Sequence, residues 1–287
     1  MSNLMRYKNL FFTMSLLIIL PGIYFLITSG LKLGIDFTGG TLLEYQFENR
    51  VNTDDLKIYG LVTQLGNDSY IIRSKPLEQG RIDDIRKSLT QKYGKVVERR
   101  VEIVGPVIGA ELSKKAALAV IVASLVIVLY IAFSFRKVPK PQSSWRFGIS
   151  AVLALVHDIL VVLGAFAILG KFLNVEIDTL FVTALLTIIG FSVHDTIVVF
   201  DRIRENLIKH PGKKFLGVAN LSVIQTLGRS LNTSLTVVFV LIALFLFGGE
   251  TLKWFVVALL IGIISGTYSS IFNATALLVW WEERLGH

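Results

Sequence analysis

The chain has 287 residues, 53% of them hydrophobic and 17% charged, and a mean hydropathy of +0.64, far above that of a soluble globular domain. This composition marks a membrane protein. The net charge of +8 does not call for nucleic acid, because the basic residues gather in short connections, and the absence of cysteine excludes disulfides, Cys-based zinc sites and thiol catalysis.

Runs of about 20 apolar residues can cross a hydrocarbon core of roughly 30 Å as helices. Such runs occur at 10–29, 116–135, 148–170, 178–200, 230–248 and 252–280, one alone and five in close succession. The first follows Arg6 and Lys8 but is too long for a secretory signal and lacks a small-x-small cleavage site, so it reads as a retained anchor that Pro21 and Gly22 bend or loosen. Residues 1–30 are thus expected to hold a cytoplasmic N-terminus and the first span.

Residues 31–115 have the mixed charge of a soluble domain, with 14 basic and 12 acidic side chains, and are expected outside the cytoplasm. The segment opens on GIDFTGGT, glycine-rich but without the lysine of a phosphate loop and with Asp36 where phosphate would be repelled, so a tight turn between span and strand is the plain reading. TLLEYQF, SYIIRS and VVERRVEIV read as strands. NTDDLKIYGLVTQLG and GRIDDIRKSLTQKYG read as amphipathic helices, the first started by Asn52 or Thr53 and the second by Asp83 or Asp84. The order β-α-β-α-β predicts a small α+β, ferredoxin-like sheet with helices on one side and no catalytic constellation.

Residues 116–280 are expected to form a five-helix membrane region with cytoplasmic loops at 136–147 and 201–229, and 281–287 a cytoplasmic tail. Counting Lys and Arg in the short connections alone, Arg6, Lys8, Arg136, Lys137, Lys140, Arg146, Arg202, Arg204, Lys209, Lys213, Lys214 and Arg284 fall on one side of the six spans and only Lys171 and Lys253 on the other, which is expected to place both termini in the cytoplasm. Within 201–229, a basic helix from Asp201 to His210, ended by Pro211 and Gly212, either lies along the membrane surface or is a charged stop-transfer loop.

An ionisable residue inside the bilayer costs at least about 2.5–3.5 kcal/mol, so it faces a partner or a wet cavity. VHDILVV at 156–162 and VHDTIVV at 193–199 carry two such residues. At 1.5 Å per residue Asp158 lies roughly 15 Å deep in the third span, and Asp195 roughly 9 Å inside the cytoplasmic edge of the fourth. The two carboxylates are therefore expected at different depths, since these spans run in opposite directions. In the fifth span Gln225, Arg229, Asn232, Thr233 and Thr236 form a polar stripe expected to face the bundle interior, with Arg229 either a positive flank or an ion-pair partner of Asp195. Each Asp is either a hydrogen-bonding tie between helices or a proton carrier, its carboxyl neutralised by burial and ionised by a nearby Arg. Gly262, Gly266 and Ser270, four residues apart in the sixth span, suit close helix packing. No metal or cofactor is called for, and no Walker-type loop occurs.

GIDFTGGT at 34–41, VGPVIGAEL at 104–112, VHD at 156–158, DTIVVFDRIREN at 195–206, QTLGRSLNTSLT at 225–236 and GTYSSIF at 266–272 together resemble the SecD/SecF family, on its SecF side, within the resistance-nodulation-division superfamily. The motifs run in order through nearly the whole chain. The resemblance implies a non-enzymatic, multi-pass protein of the bacterial or archaeal plasma membrane. Such a protein pairs with SecD, docks on the SecY/SecE/SecG channel and uses the proton motive force to draw preproteins outward after SecA has acted, with no cofactor beyond the gradient. It implies that Asp195 is the proton-pathway acid and Arg229 the family's essential Arg, and that Gly34, Asp36, Gly39 and Gly40 belong to a family motif of the outer domain; Asp158 is a further candidate from its depth in the third span. Where the family commonly has Asn before the acid, this chain has His194, which either relays protons or replaces an amide hydrogen bond. Two rival readings are a proton-coupled exporter of lipids or small molecules from the same superfamily, and a translocon scaffold in which the acids only pack helices.

Overall fold

The computed structural model describes residues 4–65, 68–136, 138–139 and 142–285. Gly66 at the end of the first expected outer helix, Lys137 and Lys140 of the basic connection, and the ends of both termini lie outside the described residues. The chain divides into two compact units, Leu33–Leu118 and the remainder.

In the smaller unit a single turn, α2 (Ile35–Thr38), leads into strand β1 (Gly40–Phe47). Then follow a short helix α3 (Thr53–Leu56), strands β2 (Leu61–Leu65) and β3 (Ser69–Ser74), helix α4 (Gln79–Tyr93) and strand β4 (Val96–Val104). The sheet is antiparallel in the order β2-β3-β1-β4, the ferredoxin-like arrangement. Leu43, Tyr45 and Phe47, two residues apart, point to one face, and Ile82, Ile85 and Leu89 of α4 cover them in one buried cluster. Beside it Asp55 accepts from the Tyr93 hydroxyl and pairs with Lys92 at 2.8 Å, and these partners hold its carboxyl below the usual range.

Two expectations are corrected here. The helix expected over 52–66 stops after one turn: Asn52 does cap it, accepting from Asp54 N at 3.1 Å, but Gly60 takes φ 155° and LVTQL pairs with β3 as an edge strand. A Cβ at Gly60 would stand 2.1 Å from Arg73 O, so the close strand approach requires glycine there. Helix α4 starts a turn earlier than Asp83, at Glu78, without a side-chain cap.

The second unit is helical. Six helices are long and apolar enough to cross a membrane. They are α1 (Lys8–Thr28), α5 (Pro106–Ser134, which begins in the first unit), α6 (Ser144–Leu173), α7 (Thr179–Lys209), α8 (Phe215–Phe247) and a last one in two parts, α9 (Glu250–Tyr268) and α10 (Ala274–Arg284), joined by a π-helical turn at Ser269–Asn273. The six expected spans are all present, but α5 begins ten residues before its expected start at 116, α7 runs nine residues past its expected end at 200, and α8 begins fifteen residues before its expected start at 230. In the connection expected at 201–229, the basic helix expected from Asp201 to His210 is present as the end of α7 and stops before Pro211 and Gly212, but from Phe215 the segment is already α8, so the connection is a helical hairpin with its turn at 210–214. Its amphipathic residues pack helix on helix: Ile203 is fully buried, and Asn206 Nδ2 donates to Ser222 Oγ and Gln225 Oε1, both at 2.8 Å.

Helices α6 and α7 form the middle of this unit. Phe135, Phe147 and Phe200 pack edge-on or tilted, 5.3–5.8 Å between centroids. Gly22 of α1 and Gly164 of α6 meet backbone to backbone, so that a Cβ on Gly164 would lie 2.6 Å from Gly22 Cα. This is the small-residue contact by which membrane helices approach closely. Gly164→Ala is accordingly expected to lower the stability of the helical unit by about 1–3 kcal/mol through overpacking, measured by thermal unfolding in detergent, whereas Gly190→Ala, which meets nothing within 4 Å, leaves it unchanged.

Candidate functional site

Helix α7 turns Ser192, Asp195, Thr196 and Val199 to its buried side, a spacing of three, one and three residues. Asp195 is 2% exposed. Its Oδ2 accepts from Ser234 Oγ of α8 and Thr267 Oγ1 of α9, each at 3.5 Å, and those two hydroxyls lie 2.6 Å apart. One carboxylate thus gathers three helices.

Asp158 of α6 is fully buried. Ser192 Oγ donates to its Oδ2, and His157 Nδ1 lies 2.9 Å from its Oδ1. The other ring nitrogen of His157 meets Asn273 Nδ2 at 3.2 Å, and that amide donates to Ser15 Oγ of α1 at 2.5 Å. The two acids are linked through α7 itself: Ser270 Oγ donates to Ser192 O at 2.9 Å, and Thr196 Oγ1 donates to Ser270 Oγ at 2.8 Å.

A Cβ on Gly266 would stand 3.5 Å from Asp158 Oδ2, and the next residue, Thr267, bonds Asp195, so both carboxylates meet α9 at consecutive positions. Glycine at 266 leaves room for Asp158 and Ser192; glycine at 262 does the same for Ile188, whose Cδ1 would be 2.3 Å from an added Cβ. Just beyond lies the π-turn, whose wider winding brings Ser269, Ser270 and Asn273 all inward.

The polar stripe of α8 is also corrected. Gln225, Arg229, Asn232, Thr233 and Thr236 are exposed in this chain, while Ser222, Thr226, Ser230 and Ser234, at four-residue spacing, form the buried polar side. Among the described residues no ion pair joins Arg229 to Asp195, whose oxygen is held by hydroxyls instead. His194 is exposed, turned away from Asp195 by the helical step of about 100° between neighbours, and takes no part in the hydrogen bonds around the acid. The near-repeat therefore conceals opposite arrangements: His157 bonds its own Asp and His194 does not.

In the smaller unit, Gly34, Asp36, Gly39 and Gly40 surround the α2 turn. Gly39 has φ 73° and its Cβ position lies 2.8 Å from Pro106 Cα, while a Cβ on Gly109 would lie 2.8 Å from Gly39 N. The two glycine-containing motifs at 34–41 and 104–112 thus fold backbone on backbone, a relation that their separation in sequence concealed.

Residues 84–284 match the family described as protein export membrane protein SecD/SecF, C-terminal, and residues 24–49 match the SecD/SecF GG motif. The chain is 48% identical to the protein translocase subunit SecF of Thermobaculum terrenum, across 99% of this chain and 95% of that one. It belongs to the SecD/SecF family. A second SecF relative, from Anaerolinea thermophila, is 41% identical over the same shares. Among solved structures, the fold is similar to that of SecDF from Thermus thermophilus, described as a translocon-associated membrane protein, with TM-score 0.87 and 34% identity over 99% of this chain. SecDF in a super-membrane-facing form is similar with TM-score 0.73 and 32% identity. This SecD/SecF family chain spans 39% of the length of either solved SecDF chain. The GG-motif match contains Gly34, Asp36, Gly39 and Gly40, and the C-terminal match contains Asp158, His194, Asp195 and Arg229. Its family places the chain among multi-pass transport components rather than enzymes.

Proposed function

We propose that the chain acts as a SecF-type translocase subunit that pairs with SecD, docks on the SecY/SecE/SecG channel and couples the proton motive force to late preprotein movement, after SecA has acted. The observation that carries this reading is the pair of acids buried in the spans and tied by hydroxyls to the sixth helix. Asp195 is the proton carrier, and Asp158 a second acid tied through Ser192 to the same helix, α7. Protonating Asp195 weakens its hold on Ser234 and Thr267 and so biases how α7, α8 and α9 sit together.

Arg229 fits this reading from its exposed position. A stripe holding an arginine, an amide and two threonines is costly against lipid, so a partner's helices are its expected neighbours, and SecD is the partner proposed. His194, also exposed, is at most a modulator. The excess of Lys and Arg in one set of connections orients both termini toward the cytoplasm of a bacterial or archaeal cell, and no cofactor besides the gradient is needed.

The test uses vesicles that contain the assembled complex and a preprotein halted after the SecA-driven stage. Collapsing the gradient with a protonophore is expected to slow completion to the rate of vesicles lacking the chain. Equal rates with and without the gradient, while the chain still accelerates completion, would leave it as a scaffold.

A further inference from the structure

The spans contain buried polar atoms that the two acids do not account for. Ser150 Oγ, Thr275 Oγ1, Asn273 Oδ1 and Glu282 Oε2 are buried and have no hydrogen-bond partner among the described residues. Such atoms are rare in native interiors and are commonly satisfied by internal water, which makes about three hydrogen bonds each. These four fall in one place. Arg146 Nη1 donates to Glu282 Oε1 at 2.6 Å, and His157 Nε2 meets Asn273 Nδ2 at 3.2 Å, so α6 and the last helix run antiparallel and are joined at both ends of this stretch.

Helical geometry places the remaining atoms between those ends. Arg146, Ser150 and His157 follow a spacing of four and seven residues and share one side of α6; Thr275 and Glu282, seven apart, share the side of α10 that faces Arg146. Measured along the axis from the Glu282–Arg146 pair, Ser150 is about 6 Å in, Thr275 about 10 Å, and Asn273 with His157 about 14–16 Å. Steps of about 4–6 Å are what one water, bonded at about 2.8 Å on either side, can bridge. The ladder ends at Asp158, to which His157 is bonded.

We propose that Ser150, Thr275, Asn273 and Glu282 line an internal water path between α6 and α10, joining the buried Glu282–Arg146 pair to the His157–Asp158 pair. Its ligand is water. The path supplies Asp158 with a route to one end of the bundle, and its use by protons rests on the function proposed above. Arg146 and Glu282 at one end and His157 and Asp158 at the other are the ionisable groups along it.

The chain contains no cysteine, so single thiols report on their own surroundings. In membranes holding the full complex, Ser150→Cys and Thr275→Cys are treated with silver ion, a water-sized thiol reagent, and modification of this chain is followed by mass spectrometry. Ala167→Cys and Ala276→Cys, at fully buried apolar positions, are the dry comparisons. The expected result is reaction at least about tenfold faster at positions 150 and 275, since an apolar site raises a thiol's pKa and each unit removes tenfold of the thiolate. Rates no faster than those at 167 and 276 overturn the path. The two tested positions lie on different helices, so either decides the matter if the other variant fails to assemble. Thiol reactivity does not depend on coupling to export, so dry cysteines and a gradient-independent vesicle assay are distinguishable failures.

Discussion

Asp195→Asn is expected to abolish the gradient-dependent part of preprotein translocation while leaving the complex assembled. The amide has the shape of the carboxylate and an oxygen that still accepts from Ser234 and Thr267, so the tie between α7, α8 and α9 is retained. What is lost is the capacity to take up and release a proton at that point. A charge crossing the full membrane potential is worth about 2.3 kcal/mol per 100 mV, which shifts a two-state equilibrium about 50-fold. The loss should therefore be close to complete at ordinary potentials. Arg229→Met is expected to give the same loss by a different route, because Arg229 is exposed and its removal leaves the chain's own packing intact. Late translocation with and without protonophore, together with co-purification of the partners, measures both. Normal gradient-dependent export in the two variants would sink the proton-carrier role and leave Asp195 as a structural tie.

The spans were legible because apolar runs of this length have one common explanation in a chain of such hydropathy. Their ends were not. Helices α7 and α8 continue beyond the apolar residues, where Asn206 of α7 bonds to Ser222 and Gln225 of α8, and a polar helix-helix contact of this kind carries no hydropathy signal. The same limit hid the inner side of α8. Ser222, Thr226, Ser230 and Ser234 repeat every four residues, a signal present in the sequence, but the bulkier polar residues at 225–236 drew the inward assignment instead. The assumption behind that assignment was that a chain satisfies its own polar side chains, which need not hold for a subunit. The strand at 61–65 was concealed by Leu56, Leu61 and Leu65, whose spacing of five and four residues imitates a helix, and only Gly60 marked the break.

Asp158 and Asp195 were each visible as costly residues, yet their relation depended on the sixth helix. Depth estimates, counted for each acid from the edge of its own span, carried no information about which helix both would meet. The tie through Gly266 and Thr267 comes from helix crossing, and the π-turn at 269–273 adds an inward-facing residue that a straight helix of the same sequence would turn aside. Ser270, read as a spacing residue, instead bonds to both Ser192 and Thr196, so the small-residue pattern serves packing and hydrogen bonding together.

Gly39→Ala is expected to disrupt the smaller unit strongly. Gly39 has φ 73° and ψ 161°, a region open essentially to glycine alone, where another residue costs about 1–3 kcal/mol. The added carbon would also stand 2.8 Å from Pro106 Cα and 3.1 Å from Pro106 N, which are backbone atoms that no side-chain rotation can move aside. Relief requires the α2 turn to lift from residues 105–109, and β1 begins directly after that turn, paired to β4 from Gly40 opposite Val104. The strain is therefore delivered to the central strand pairing and not to a free loop. Gly105→Ala supplies the comparison, since nothing lies within 4 Å of its Cβ position and its φ is not positive. Amide hydrogen exchange across 40–47 and 96–104 in the intact protein is expected to accelerate strongly in Gly39→Ala and hardly at all in Gly105→Ala. Unchanged protection in Gly39→Ala would mean that the turn adapts, and that the motif is retained for a contact outside this chain.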